Sequence, residues 1–313
     1  MSIDFTKLQA LEIPEGVVTQ IEDASGRVLW MVSGGKVILE VEKITSDTYA
    51  AETTYGNEEF ILLDIYPKTN GTVSVTYGGL TKTITDTSGA EEPNAQQVYF
   101  GTFNGVSDSV TTPASGTLTI EGDYSGFGVG VFSESSKSAT NYCGCVIAVN
   151  SFGDVTKIPA YAFNGCNKIT SVKIPNCVTE IGDNGFNNCD SLISVKLSTA
   201  LETIGNNAFA VSSIEGVEIP KSVTKIGYNA FVCFIVTDLK SAYSLKTVTM
   251  LAETPPELVI TGSSVGESYY SNFGDMRAEN KVLEKIIVPK GCGNTYKAAD
   301  GWSTYADYIV EAS

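Results

Sequence analysis

Along the second half of the chain the hydrophobic positions recur with a long period. VTKIPAYAFNGCNKITSVKIPNC begins at Val155, VTEIGDNGFNNCDSLISVKLSTA at Val178, LETIGNNAFAVSSIEGVEIPKS at Leu201 and VTKIGYNAF at Val223, so successive starts lie 23, 23 and 22 residues apart. Self-similarity at such a period predicts a solenoid with one supersecondary unit per repeat, each coil burying its apolar side against the next. Within each unit an apolar-x-x-apolar-x-apolar spacing marks a short strand: Ile169, Val172, Ile174, then Leu192, Val195, Leu197, then Ile214, Val217, Ile219. The same spacing returns at Leu245, Val248, Met250 and at Leu283, Ile286, Val288. Strand side chains alternate between faces, so these triplets point into the stack and the positions between them point out.

A second apolar element, Val-Thr-x-Ile-Gly, leads into an Asn-x-Phe turn in which Phe163, Phe186, Phe209 and Phe231 recur in register. One aromatic per repeat predicts a phenylalanine spine inside the solenoid, because a ring at every coil packs on the ring of the next. Cys166 and Cys189 share the position three residues beyond the Phe, where the third repeat has Ser212 and the fourth Phe234. A position that accepts Cys, Ser and Phe is being filled by packing rather than used as a ligand.

Residues 36–140 carry a different pattern, short β-branched runs separated by Gly, Asn, Asp and Ser: KVILEVEKI, EFILLDIY, TVSVTY, LTKTIT, QVYFGTF, GTLTIEG and FGVGVF. Strands this short and closely spaced predict an Ig-like β-sandwich, here without a Cys-Trp-Cys core. The junctions Thr69-Asn70-Gly71-Thr72 and Tyr77-Gly78-Gly79-Leu80 read as hairpin turns. Residues 1–35 hold a further hairpin, EGVVTQIE and VLWMV joined through Ala24-Ser25-Gly26-Arg27, suited to an attachment segment. The expected fold is mainly β with short helical turns, in three parts: 1–35, 36–140 and a solenoid over 141–313.

Composition narrows the chemistry. The formal net charge is -16, from 36 acidic against 20 basic residues, which repels nucleic acid and anionic membrane surfaces. The chain has no histidine. A Ser-His-Asp or Cys-His enzyme is thereby excluded, and the commonest zinc and iron ligand is missing. Seven cysteines cannot all pair within one chain, and the C-x-C at Cys143 and Cys145 has no second pair to complete a metal site. No metal and no cofactor is expected. The N-terminus MSIDFTKLQALEIPEG has neither the basic nor the apolar region of a secretory signal, and no stretch approaches a membrane span, so membrane insertion is not expected.

Ile-Pro, Val-Thr-x-Ile-Gly, Asn-x-Phe and Cys-x-x-Leu together resemble the BspA-type leucine-rich repeats of bacterial surface and prophage-encoded proteins. The resemblance covers residues 155–232 and extends less regularly through Thr254-Pro255-Pro256 to VPKGCGNTYKAADGWSTYADYIVE, similar to that family's C-terminal segment. There Asn294 or Thr295 is placed to cap a short helix running to Asp300, with Trp302 closing the open end of the core. The run IPEGVVTQIEDASGRVLW is similar to N-terminal segments of tail-associated structural proteins in phages of gut Firmicutes.

The expected function is recognition without catalysis: a solenoid surface presented to a protein or glycan on a cell surface. A prophage tail-associated component and a secreted or cell-surface adhesin of a gut bacterium are the two settings; a glycan-active enzyme with paired carboxylates is the remaining class. Extracellular action, in a virion or at a cell surface, follows from either of the first two. The outward strand positions Ser171, Lys173, Ser194, Lys196, Glu218, Thr247 and Thr249 are the candidate ligand contacts. Where the period fails, residues 232–244 lengthen one repeat and residues 251–282 show no recognisable one. Long loops carry specificity on many scaffolds, and in the 257–280 stretch Tyr269, Tyr270, Asn272 and Phe273 are the second candidate set.

Overall fold

A computed structural model of the chain describes residues 20–22, 28–31, 36–42, 44–45, 59–88, 96–103, 106–109, 111–129, 146–153, 155–232, 245–260, 270–275 and 282–313. Strands β1 (Gln20–Glu22) and β2 (Val28–Met31) pair antiparallel, as the first hairpin pattern anticipates. The described residues of all seven runs of the next region fall on or beside strands: β3 (Val37–Glu42), β4 (Ile44–Thr45), β5 (Glu59–Pro67), β6 (Thr72–Tyr77), β7 (Leu80–Thr85), β8 (Gln96–Phe103), β9 (Val106–Ser107), β10 (Ser115–Gly122) and β11 (Tyr124–Val129). With β12 (Val146–Phe152) they form two antiparallel sheets, one ordered β12-β3-β10-β6-β7 and the other β11-β5-β8-β9 with β4 on β5. Alternation does the sorting: Val73, Val75 and Tyr77 of β6 are buried, and so are Ile61, Leu63 and Ile65 of β5. The two sheets meet where Tyr77 packs edge-on against Phe100 of β8, with centroids 5.7 Å apart. Lys82 of β7 reaches across to Asp108 at 2.6 Å, its ammonium 3.9 Å over the Tyr99 ring.

One expected hairpin is a crossover instead. Gly78 and Gly79 turn β6 into β7 with φ of 57° and 81°, the backbone a two-residue hairpin needs. Asn70-Gly71, however, carries the chain from β5 in one sheet to β6 in the other. The local signals are alike, since Asn70 has φ 55°. What differs is tertiary: the Gly71 position is pressed against Asp123, where an added Cβ would lie 2.7 Å from that residue's carbonyl oxygen, and the corner is held by Asn70 N donating to the buried Asp86 carboxylate at 2.9 Å.

Strand β12 lies beyond residue 140, in the stretch the sequence assigns to the solenoid, yet it is hydrogen-bonded to β3 along its length. It then runs directly into the first coil. The coils supply β13 (Lys157–Ile158), β14 (Ser171–Lys173), β15 (Glu180–Ile181), β16 (Ser194–Lys196), β17 (Thr203–Ile204), β18 (Gly216–Ile219), β19 (Lys225–Ile226), β20 (Thr247–Met250), β21 (Glu257–Leu258), β22 (Tyr270–Ser271), β23 (Gly274–Asp275), β24 (Lys285–Val288) and β25 (Ile309–Glu311). The small strands stack as one parallel sheet, β13-β15-β17-β19-β21, and the triplet strands as two, β14-β16 and β18-β20-β24-β25.

Between these sheets runs the spine. Phe163, Phe186, Phe209 and Phe231 stack at 5.0, 5.3 and 5.2 Å, all within 9° of parallel. The sequence leads one to end it at Phe231, but Phe273 continues it at 6.1 Å, and Trp302 and Tyr305 close it at 5.7 and 5.3 Å from Phe273. At the other end Phe152 of β12 meets Phe163 edge-on at 5.8 Å. The described part of residues 251–282 therefore does join the stack. Strand β21 joins the small-strand sheet, β22 and β23 pair as a hairpin, and its tip, Asn272-Phe273, is driven into the stack. Asn272 Nδ2 donates to the carbonyls of Ile226, Gly227 and Val259 at 3.2, 2.7 and 3.3 Å, which fastens the hairpin tip to the surrounding backbone.

The repeat motif has a steric cause at two positions. A Cβ on Gly182, Gly205 or Gly227 would fall 2.5, 2.6 or 2.3 Å from the backbone of the preceding coil, so Ile-Gly lets coils approach. The first coil carries Pro159 there. Asn184, Asn207 and Asn229 adopt φ of 57°, 53° and 55°, the left-handed conformation that asparagine tolerates, and Tyr161 takes φ 62° at the matching place. The cap departs from expectation in one respect. Helix α1 spans Gly293–Ala298 and its N-cap is Cys292, with no side-chain cap from Asn294 or Thr295. The Glu311 carboxylate takes the Gly293 N–H instead, at 2.9 Å, because β25 brings it over the helix start.

Candidate functional site

The outward face of the triplet strands is set by register. Ser171, Val172 and Lys173 lie opposite Ser194, Val195 and Lys196, while Gly216, Val217 and Glu218 lie opposite Thr247, Val248 and Thr249. Thr247 and Thr249 in turn face Lys285 and Ile287, and Ile287 faces Val310. Ser171, Lys173, Ser194, Lys196 and Glu218 are exposed, and Thr247 and Thr249 half-exposed, whereas Val172, Val217 and Val248 are buried. All seven positions of the first candidate set thus share one face. Lys285, Ile287 and Val310 belong to it as well. The triplet at Leu283, Ile286 and Val288 already marks the first two; nothing in the sequence marks Val310.

The ladder is broken between β16 and β18, which share no strand pairing. The third repeat is the short one, 22 residues against 23, so its triplet strand arrives one residue early. Lys196 and Glu218 accordingly sit on different sheets. Around the face the chain is polar and regular: Ser213 Oγ donates to Asp190 O at 2.5 Å, Ser222 Oγ to Thr199 O at 2.9 Å, and Lys246 pairs with Glu215 at 3.0 Å. On the opposite sheet Lys157 pairs with Glu180 at 2.9 Å and Lys225 with Glu257 at 3.9 Å.

The second candidate set divides. Asn272 and Phe273 are 4% and 0% exposed, so they belong to the core and offer a partner nothing, a correction that follows from the hairpin tip entering the spine. Tyr270 opens β22, paired with Asp275 of β23, and Tyr269 lies outside the described residues, as do Cys143, Cys145 and Phe234.

The buried thiols have no free surface. Cys166 and Cys189 are 0% exposed, and Cys189 donates its S–H to the Phe163 carbonyl at 3.2 Å. Burial pushes the Cys189 thiol far above the ordinary range, which suppresses the nucleophilic thiolate. Tyr296 is likewise raised by burial, its hydroxyl donating to Ala252 O at 2.7 Å. Glu311 is held below the ordinary carboxylate range by the N–H groups of Gly291 and Gly293. Each of these shifts has a structural cause in coil packing or the cap.

Comparison with known proteins follows the same lines. Residues 133–253 match the BspA type leucine rich repeat region in six copies. Among solved structures, a leucine rich cell surface protein from Faecalibacterium prausnitzii is 20% identical, over 53% of this chain and 35% of that one, with a TM-score of 0.34. The leucine rich repeat protein of T. pallidum is 24% identical over 53% and 68% of the two chains (TM-score 0.32), and one from Bacteroides ovatus 18% identical over 58% and 74% (TM-score 0.23). The chain thus spans about a third of the length of the first of these. No curated protein matches significantly. With six copies of the motif in the sequence and its strands stacked in register, residues 133–253 are a BspA-type leucine-rich-repeat region, and the coils that follow continue its spine to Trp302.

Proposed function

We propose that this protein is a non-enzymatic recognition protein whose outward triplet-strand face binds a protein or glycan on a cell surface, in a prophage tail-associated particle. Residues 36–140 then serve as an Ig-like spacer and residues 1–35 as the attachment segment. The observation carrying this reading is the division of the coils. The repeating phenylalanines, thiols and most of the apolar triplet residues are taken up by the stack, which leaves an outward surface rich in Ser, Thr, Lys and Glu, its spacing set by strand register within each of two sheets. Such a surface is built for contact rather than for turnover, since a reacting carboxylate needs a desolvated cleft to shift its pKa. Among the described residues no helix is long and apolar enough to cross a membrane, in keeping with a surface or particle setting.

The test uses the whole chain. A cut at residue 140 would part β12 from β3 and leave Phe152 without its sheet, so a truncation would confound folding with binding. The protein and its S194R/T249R variant are screened against bacterial cells and a glycan array. Binding abolished by the double substitution, with unchanged thermal unfolding, supports the assignment. Binding that survives it places recognition elsewhere, and sustained glycan hydrolysis overturns the non-enzymatic reading.

A further inference from the structure

We infer that the amino-terminal end of this face, centred on Lys173 and Lys196, binds an acidic polypeptide segment; this rests on the face being the recognition surface. The two ammonium-bearing residues are directly registered on adjacent parallel strands, about 4.8 Å apart in the hydrogen-bonding direction. Like charges so placed repel and cost stability. Other described lysines of the coils are placed differently: Lys157, Lys225 and Lys246 each sit across from a glutamate and pair with it. Among the described residues neither Lys173 nor Lys196 lies in an ion pair, and the break between β16 and β18 keeps Glu218 from supplying one.

On a chain of net charge -16 an uncompensated cationic pair is the place where an anionic group is attracted rather than repelled. Its surroundings select the kind of anion. Ser171 and Ser194 flank the pair as hydroxyl donors, and Ile193 beside them is 62% exposed, more than any other described large hydrophobic residue. An exposed aliphatic residue three positions before Lys196, together with the two point charges, suits an Asp- or Glu-bearing peptide with an aliphatic side chain. A carbohydrate would instead favour a flat aromatic platform, and the neighbouring outward positions carry none. In an extended peptide, carboxylates at alternate residues project from one side about 7 Å apart, close enough for one to meet each lysine.

The full-length protein is used to select from a random peptide display library, and enriched peptides are titrated against wild type, K173E/K196E, the opposite-sheet control K157E/K225E, and T249R. The expected peptides carry two or more acidic residues beside an aliphatic one. They should lose at least about tenfold in affinity on K173E/K196E, keep it on K157E/K225E, and weaken as salt rises. Peptides without acidic residues, or unaffected by K173E/K196E, overturn the inference. Weakening by T249R alone would leave the surface assignment standing and remove this one; insensitivity to both variants removes both. No enrichment, together with lysine-dependent binding of polygalacturonate, would reassign the pair to an acidic glycan and overturn the peptide.

Discussion

The ring of Phe273 lies on that of Phe231, 6.1 Å away and 18° from parallel, although the chain between them, residues 232 to 272, is nearly twice the length of a regular coil. A stretch that breaks the sequence period still delivers its aromatic to the place the period would have put it. The stack selects for the ring, and the longer path to it is tolerated because closing a longer loop costs little more than closing a short one.

Phe273→Ala therefore behaves as a core deletion. The expected loss is about 3 to 5 kcal/mol, as for Phe186→Ala in a regular coil. Chemical denaturation of both variants checks it. A Phe273→Ala protein within about 0.5 kcal/mol of wild type would return the stretch to the status of a surface loop.

Gly205→Ala and Gly227→Ala should both be costly although they add a single methyl. The added carbon would meet backbone atoms of the preceding coil at 2.6 and 2.3 Å, and backbone cannot swing aside as a side chain can. A loss of about 1 to 3 kcal/mol or more is expected, against little change for Gly216→Ala, where the nearest atom to the added carbon is the Thr247 carbonyl oxygen at an ordinary 3.7 Å. Comparing the three by thermal unfolding isolates the steric term.

Val211 has φ 56°, a left-handed conformation that a β-branched residue enters only under strain. The matching positions of the first two coils hold Gly165 and Asn188 at φ 75° and 57°. Val211→Asn is expected to raise stability by about 1 kcal/mol, seen as a higher urea midpoint. A lower midpoint would mean that Val211 contributes more by packing than it loses to strain.

Glu311 gives the cap an acid-sensitive contact. Its carboxylate accepts N–H groups from Gly291 and Gly293, both at 2.9 Å, and is held below the ordinary range. The folded value is therefore lower than the unfolded one. The contribution is complete above the unfolded value and disappears as pH falls through the folded value. Glu311→Gln should flatten the decline of stability between about pH 5 and about pH 3 relative to wild type. Parallel curves would show that the contact is not felt.

Cys166 and Cys189 should resist thiol reagents in the native protein and react only on unfolding, because the thiolate of Cys189 is suppressed by burial. Labelling followed by peptide mass mapping, native against denatured, reads this directly. Native modification of either at the rate of a free thiol would place it at a surface.

Most of the coil architecture is legible in the residues. Each coil repeats one steric problem, so Ile-Gly, Asn-x-Phe and the apolar triplets announce close approach, a left-handed turn and an inward strand face wherever they occur. The outward positions Ser171 to Thr249 follow from alternation alone, and the seven short strands of the first region from their β-branched runs. What the residues leave open is every relation between segments distant in the chain. Asn70-Gly71 has the signature of a hairpin and makes a corner, because the choice lies with the sheet that β6 joins. Asn272 and Phe273 look like loop residues and are core, since only the stack shows that Phe231 has room for a neighbour and that carbonyls of distant segments stand within reach of the Asn272 amide. Strand β12 reads as the start of a solenoid and is also the edge of a sheet. Local chemistry follows from local sequence; which segments become neighbours depends on contacts made across the whole fold, where burial and hydrogen-bond satisfaction are decided together.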